Sequence, residues 1–120
     1  MARTQEPPRL VSLGLGIWLD EICVDGKQPI PDIPGGSVTF GTLGARMLSP
    51  KNPHSVSMVF NAGHDFPESI VELLHSWDID LTVRYRTDKP SPRGRVLYDG
   101  KSGNRNGFER ITDPLPIMIK

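Results

Sequence analysis

The stretch from Val56 to Tyr85 constrains the fold more than any other part of this 120-residue chain. Val56 to Phe60 is a short apolar run that reads as a strand. A helix signal follows. Asp65 can cap it, Pro67 suits a first-turn position, and Glu68 stands three residues after Asp65 in the manner of a capping box. Ile70, Val71, Leu74 and Trp77 then recur at helical spacing. Leu81, Val83 and Tyr85 alternate with Thr82, Arg84 and Arg86, the pattern of a half-exposed strand. Strand, helix and strand in close succession predict an α/β sheet with parallel pairing, in which ligands sit at the carboxyl ends of strands.

The remaining elements are predicted around this unit. Val11 to Cys23, VSLGLGIWLDEIC, reads as one buried strand, because Gly14 and Gly16 oppose a helix. Gly26 to Pro34 holds three prolines and reads as turns. Ser37 can cap a helix over Val38 to Leu48, with Val38, Leu43, Met47 and Leu48 as its apolar face; the Ser49–Pro53 stretch ends it. Lys89 to Gly94 is a turn, and Arg95 to Asp99 is expected to pair with Leu81–Tyr85 as a hairpin. Gly100 to Gly107 reads as a polar loop, and Ile111 to Lys120 as no regular element.

Composition narrows the class. Gly and Pro number 12 each, which predicts many turns and short elements. The formal net charge is zero, so the chain as a whole points to no polyanionic partner. Its one cysteine, Cys23, permits no intrachain disulfide. The start, MARTQEPP, does not read as a secretory signal, and no apolar run approaches the ~20 residues that span a bilayer. A cytoplasmic protein without a membrane partner is expected.

The order of four pieces resembles the N-terminal part of the ribokinase-like, or PfkB, carbohydrate kinases. LGLGIWLDEI is similar to the family's first strand, with Asp20 at the position of a sugar-binding aspartate. PGGSVTFGTLGARML resembles its di-glycine signature, with Gly35 and Gly36, and the helix behind it. VSMVFNAGHDFPESIVELLHSWDID resembles the strand, turn and helix that follow, and KPSPRGRVLYDG the continuation of a substrate lid. The wording GARML, GHDFP and the Arg-Gly-Arg run are most similar to the fungal maintenance-of-killer branch. The resemblance covers about residues 10–116, between a flexible segment at 1–9 and a tail at 117–120.

That resemblance implies a truncated ribokinase-like fold: a Rossmann-like partial parallel sheet with helices and a β-hairpin flap. It implies Asp20, Gly35 and Gly36 as substrate-binding residues, with a sugar or nucleoside-like polyol as ligand. It implies no catalytic residue and no cofactor in this stretch. The family's catalytic base, its phosphate-binding helix terminus and its adenine pocket, which together use ATP and magnesium, belong to a later segment. A transferase fold without its transfer machinery, a pseudoenzyme, is the expectation. Phe40 stands where sugar kinases of the family keep a substrate-binding Asn.

Each candidate also has a plainer reading. Asp20 can be a solvated strand-end carboxylate. Gly35 and Gly36 can be a turn that opens a helix. Asn61-Ala62-Gly63-His64-Asp65 superficially matches an anion-binding turn, but a capping Asp65 would occupy the amides that an anion needs. His54, His64 and His75 lack metal-ligand spacing, and Cys23 and Trp77 read as ordinary structure. Residues 81–110 hold eight Lys or Arg against three Asp or Glu. This is expected to be an edge hairpin blunted by arginines, with nucleic acid an unlikely partner. The alternative function is an interaction module that dimerises, or pairs with a full-length kinase, through its sheet edge and flap.

Overall fold

The chain builds two sheets. The computed structural model describes residues 10–13 and 17–115. The segments expected at 1–9 and 117–120, and Gly14 and Gly16, lie outside the described residues. The elements are β1 (Leu10–Leu13), β2 (Trp18–Val24), β3 (Ile30–Gly35), α1 (Ser37–Met47), β4 (Val56–Ala62), α2 (Glu68–His75), β5 (Asp80–Tyr85), β6 (Arg93–Tyr98) and β7 (Arg105–Arg110), with a 3-10 turn at Pro53–Ser55.

The strand–helix–strand expectation holds. β1, β4 and β5 form a parallel sheet with β4 in the centre. Alternate residues of β4, Val56, Met58, Phe60 and Ala62, point to one face, and all four are buried. They join Ile70 and Leu74 of α2, and Ile17, Leu19 and Ile79, in one apolar cluster. Val38 and Ala45 of α1 pack against it. Burying a side chain such as Phe60 or Leu74 contributes roughly 1.5–3 kcal/mol, so this row organises the core.

Helix α1 forms where expected but presents a different side. Gly36, not Ser37, occupies the position before its first residue, and no side chain caps it. Met47 and Leu48 are exposed, while Thr39 and Thr42 are buried. The Thr39 hydroxyl donates to the Gly35 carbonyl at 2.8 Å, and the Thr42 hydroxyl to the Val38 carbonyl at 2.6 Å. Bonded back to their own turn, these threonines can face the core at little cost.

The second sheet has the order β3-β2-β6-β7 and corrects four sequence expectations. The single strand expected over Val11–Cys23 is two strands in different sheets, β1 and β2. The proline-rich stretch is not all turn: it contains β3, antiparallel to β2. Pro31 and Pro34 lack an N–H, and β3 is an edge strand, where that donor is not needed for a second neighbour. The expected β5–β6 hairpin does not form. β6 instead runs parallel to β2 and antiparallel to β7. Strand β7 lies partly within the stretch read as a polar loop. Only Asp99 to Asn104 is a turn, organised by the Asp99 carboxylate, which accepts from the Lys101 N–H and the Ser102 hydroxyl. Alternation along a segment marks a strand but carries no information about which strand lies beside it.

The two sheets meet at one junction. The Gly63 N–H donates to Ser91 Oγ at 3.0 Å, and the His64 N–H to the Lys89 carbonyl at 3.0 Å. A Cβ on Gly63 would overlap the backbone of Pro90 and Ser91. Thr112 Oγ1 accepts from the Arg93 N–H and donates to the Ser91 carbonyl, both at 2.6 Å. Gly63→Ala is therefore expected to destabilise the fold by about 1–3 kcal/mol or more, because backbone on both sides must shift. Gly41→Ala, in α1 with open space around its missing Cβ, is expected to stabilise by roughly 0.5–1 kcal/mol. Urea unfolding of the two variants beside the parent chain checks the contrast.

Candidate functional site

Asp20 lies in the middle of the second sheet, in register with Ile33 of β3 and Gly94 of β6. Its carboxylate sits directly over Gly35: a Cβ built there would overlap Asp20 Oδ2. Gly36 has φ 89° and ψ 154°, a conformation that only glycine adopts without strain. The di-glycine pair opens α1, the plainer of its two readings, and Gly35 leaves room for the Asp20 carboxylate.

A cavity of ≈ 310 Å³ is lined by Asp20, Gly36, Ser37, Phe40, Val96, Arg105 and Phe108. Small-molecule sites run from about 300 to 1,000 Å³, so this space suits a ligand of monosaccharide size. Burial pushes the Asp20 carboxyl above its ordinary value, and the Arg105 charge pulls it only part of the way back. Three sequence candidates, Asp20, Gly35 and Gly36, are brought together here.

Sequence reasoning missed part of the cavity lining. Phe108 folds down onto the sheet, and a Cβ on Gly94 would come within 2.5 Å of its ring. The Arg105 guanidinium lies 5.8 Å from the centre of that ring. Residues 105 and 108 fall in the stretch read as loop and its margin, so no periodicity drew attention to them. Phe40, noted only as a departure from the family pattern, stands at the cavity with its side chain largely exposed.

Asp65 is not the cap of α2. Pro67 precedes that helix, and no side chain bonds to its first turn. The Asp65 carboxylate turns instead to the second sheet, accepting the Ser91 N–H at 2.7 Å and Arg93 Nη2 at 3.2 Å. Arg93 also pairs with Asp32 of β3. Burial raises the Asp65 pKa, but the bonds from Ser91 and the Arg93 guanidinium outweigh it, and the net shift is downward. The amides of Gly63 and His64 are occupied by Ser91 and Lys89, so this loop is not arranged to hold an anion. Among the described residues no group of three or more His, Cys, Asp or Glu side chains is placed to hold a metal ion. Nor, among the described residues, is any helix long and apolar enough to cross a membrane.

No protein-family model matches the chain. It is 33% identical over 111 residues to an uncharacterized protein of Schizosaccharomyces pombe, covering 89% of this chain and 29% of that protein. It is 30% identical over 90 residues to protein MAK32 of Saccharomyces cerevisiae, covering 73% of this chain and 24% of that one. The chain thus spans less than a third of the length of these curated relatives. Among solved structures, a pyrophosphate-dependent kinase of the ribokinase family superposes with a TM-score of 0.68 at 16% identity, covering 91% of this chain and 35% of that one. The Methanocaldococcus jannaschii nucleoside kinase, an archaeal member of the same family, gives 0.63 at 20% identity, covering 85% and 36%. The chain therefore has the ribokinase-type α/β fold over about a third of such a kinase.

Because the folded-state pKa of Asp65 is depressed, its contribution to stability is present above its unfolded pKa, about 3.9, and is lost as pH falls through the folded value. Asp65→Ala strips the Ser91 N–H of its acceptor and is expected to lower stability at pH 7 by about 1–3 kcal/mol. The gap to the parent chain should narrow below pH 4. Denaturant titrations at pH 7 and pH 3 measure both.

Proposed function

We propose that this chain is the substrate-side part of a carbohydrate-kinase-like protein and binds a sugar or nucleoside-like polyol between Asp20 and the backbone at Gly35 and Gly36. The observation that carries this reading is the Asp20 carboxylate, seated on a glycine turn inside a monosaccharide-sized cavity. A carboxylate offers two acceptor oxygens, which suits a pair of neighbouring hydroxyls. The sheet β3-β2-β6-β7 acts as the lid, with Phe40 and Phe108 giving the cavity apolar walls against a ring. The similarity to protein MAK32 supports assigning the chain to a fungal maintenance-of-killer branch. In this reading the 120 residues transfer no phosphate by themselves, since phosphoryl transfer depends on charged groups positioned around the phosphates.

Thermal unfolding of the purified chain with sugars, nucleosides and magnesium–ATP tests the reading. A polyol at 100 times its dissociation constant should add ~2.7 kcal/mol of stability, while magnesium–ATP adds none. Asp20→Asn should abolish the polyol shift while the chain still melts cooperatively. Sugar phosphorylation by the parent chain would refute the proposal.

A second reading is favoured by one surface. On the Asp20 face of the lid, Ile30, Ile22, Val96 and Phe108 stand in register across all four strands. Ile30 and Phe108 at the ends of this row are exposed. A second copy of the lid, or the lid of a full-length kinase, would cover it and turn the flap into an interaction module. Sedimentation at micromolar and hundred-micromolar concentrations should then show a monomer–dimer shift, and Phe108→Ser should reduce it. A parent chain that stays monomeric throughout removes this reading.

A further inference from the structure

We infer that the ligand of this cavity is an acidic sugar, a polyol bearing a carboxylate or phosphate, and that Arg105 reads the anionic group. The inference rests on the polyol reading of Asp20 and adds the chemistry of the facing wall. A neutral polyol needs only acceptors and donors for its hydroxyls, and Asp20 with the nearby backbone supplies them. A guanidinium on the same cavity wall has a different use.

The two arginines of the neighbouring strand β6 are committed to structure. Arg93 is held between Asp32 and Asp65, and Arg95 between Glu21 and Glu109. Among the described residues Arg105 makes no ion pair within 4.0 Å. It is positioned by an apolar device instead. Gly94 admits the Phe108 ring onto the sheet, and the guanidinium lies over that ring. At 5.8 Å from the ring's centre, and with no carboxylate within 4.0 Å among the described residues, the guanidinium keeps its N–H donors available, the fork that matches a carboxylate or phosphate. Asp20 and Arg105 thus give one cavity an acceptor for hydroxyls and a donor fork for an anion. The two charges exclude each other's ligand groups: an anion is repelled from Asp20, and hydroxyls on Asp20 leave the charged end to Arg105. This sets the orientation as well as the class of ligand.

Calorimetric titration of the full 120-residue chain with ribose, gluconate, ribose 5-phosphate and inorganic phosphate tests the inference. Gluconate or ribose 5-phosphate should bind about ten- to hundredfold more tightly than ribose, the range of one charged hydrogen-bonded pair. Which of the two is tighter identifies the anion. Inorganic phosphate alone should bind far more weakly than either, since it leaves Asp20 unused. Arg105→Gln should weaken the acidic sugars at least tenfold more than ribose, and Arg105→Lys should restore part of the difference. Its exposed position on β7 makes loss of folding no explanation, and circular dichroism of both variants verifies this. Ribose binding as tightly as the acidic sugars, or a preference that survives Arg105→Gln, overturns the inference and leaves the polyol reading standing. Binding of none of the sugars, or binding indifferent to Asp20→Asn, overturns both.

Discussion

The structure depends on how Asp65 and Gly63 hold the second sheet against the first. The Asp65 carboxylate accepts the Ser91 N–H, and Gly63 brings its backbone against Pro90 and Ser91. Those contacts fix the point at which the chain leaves the parallel sheet after β5 and enters β6. Leu19 donates its N–H to the Pro92 carbonyl beside the same point, so β2 is registered against β6 there. Everything that lines the cavity follows from that register. Asp20 comes level with Gly94, and Phe108 closes over the space that Gly94 leaves.

The two faces of the second sheet differ in character. On one, Glu21, Arg95 and Glu109 are aligned across three strands and form a ladder of opposite charges. Such exposed pairs add little stability each, but they keep that face wet and discourage pairing with other chains. The other face carries Asp20 at one level and an apolar row at the next. An acceptor and an apolar floor thus share a single surface of the cavity, with Gly36, Ser37 and Phe40 completing its lining.

Misread and missed elements share a physical origin. The sequence analysis assigned Asp65 to its neighbouring helix, because a carboxylate three residues before a glutamate is a common cap. The stronger bonds were to Ser91 and Arg93, which lie far away in sequence and nearby in space. The helix α1 was found from its pattern, and of its expected apolar face Val38 packs on the core; Met47 and Leu48 do not, because the back-bonded hydroxyls of Thr39 and Thr42, which look polar on paper, turn inward instead. Glycines and polar residues over 100–107 hid β7, since an edge strand with one exposed face needs few apolar residues.

What the sequence determined by itself was local: the strand–helix–strand unit from Val56 to Tyr85, the glycine pair before α1, and the order of motifs that resembles the ribokinase-like kinases. These rest on side-chain periodicity and backbone freedom, which act between residues close along the chain. The tertiary structure alone decided that Val11–Cys23 divides between two sheets, that β6 lies beside β2 and β7 rather than β5, and that Arg105 and Phe108 face Asp20. The reason is that strand partnership is settled by hydrogen bonds and close packing between distant segments. No single stretch of sequence contains both halves of such a contact.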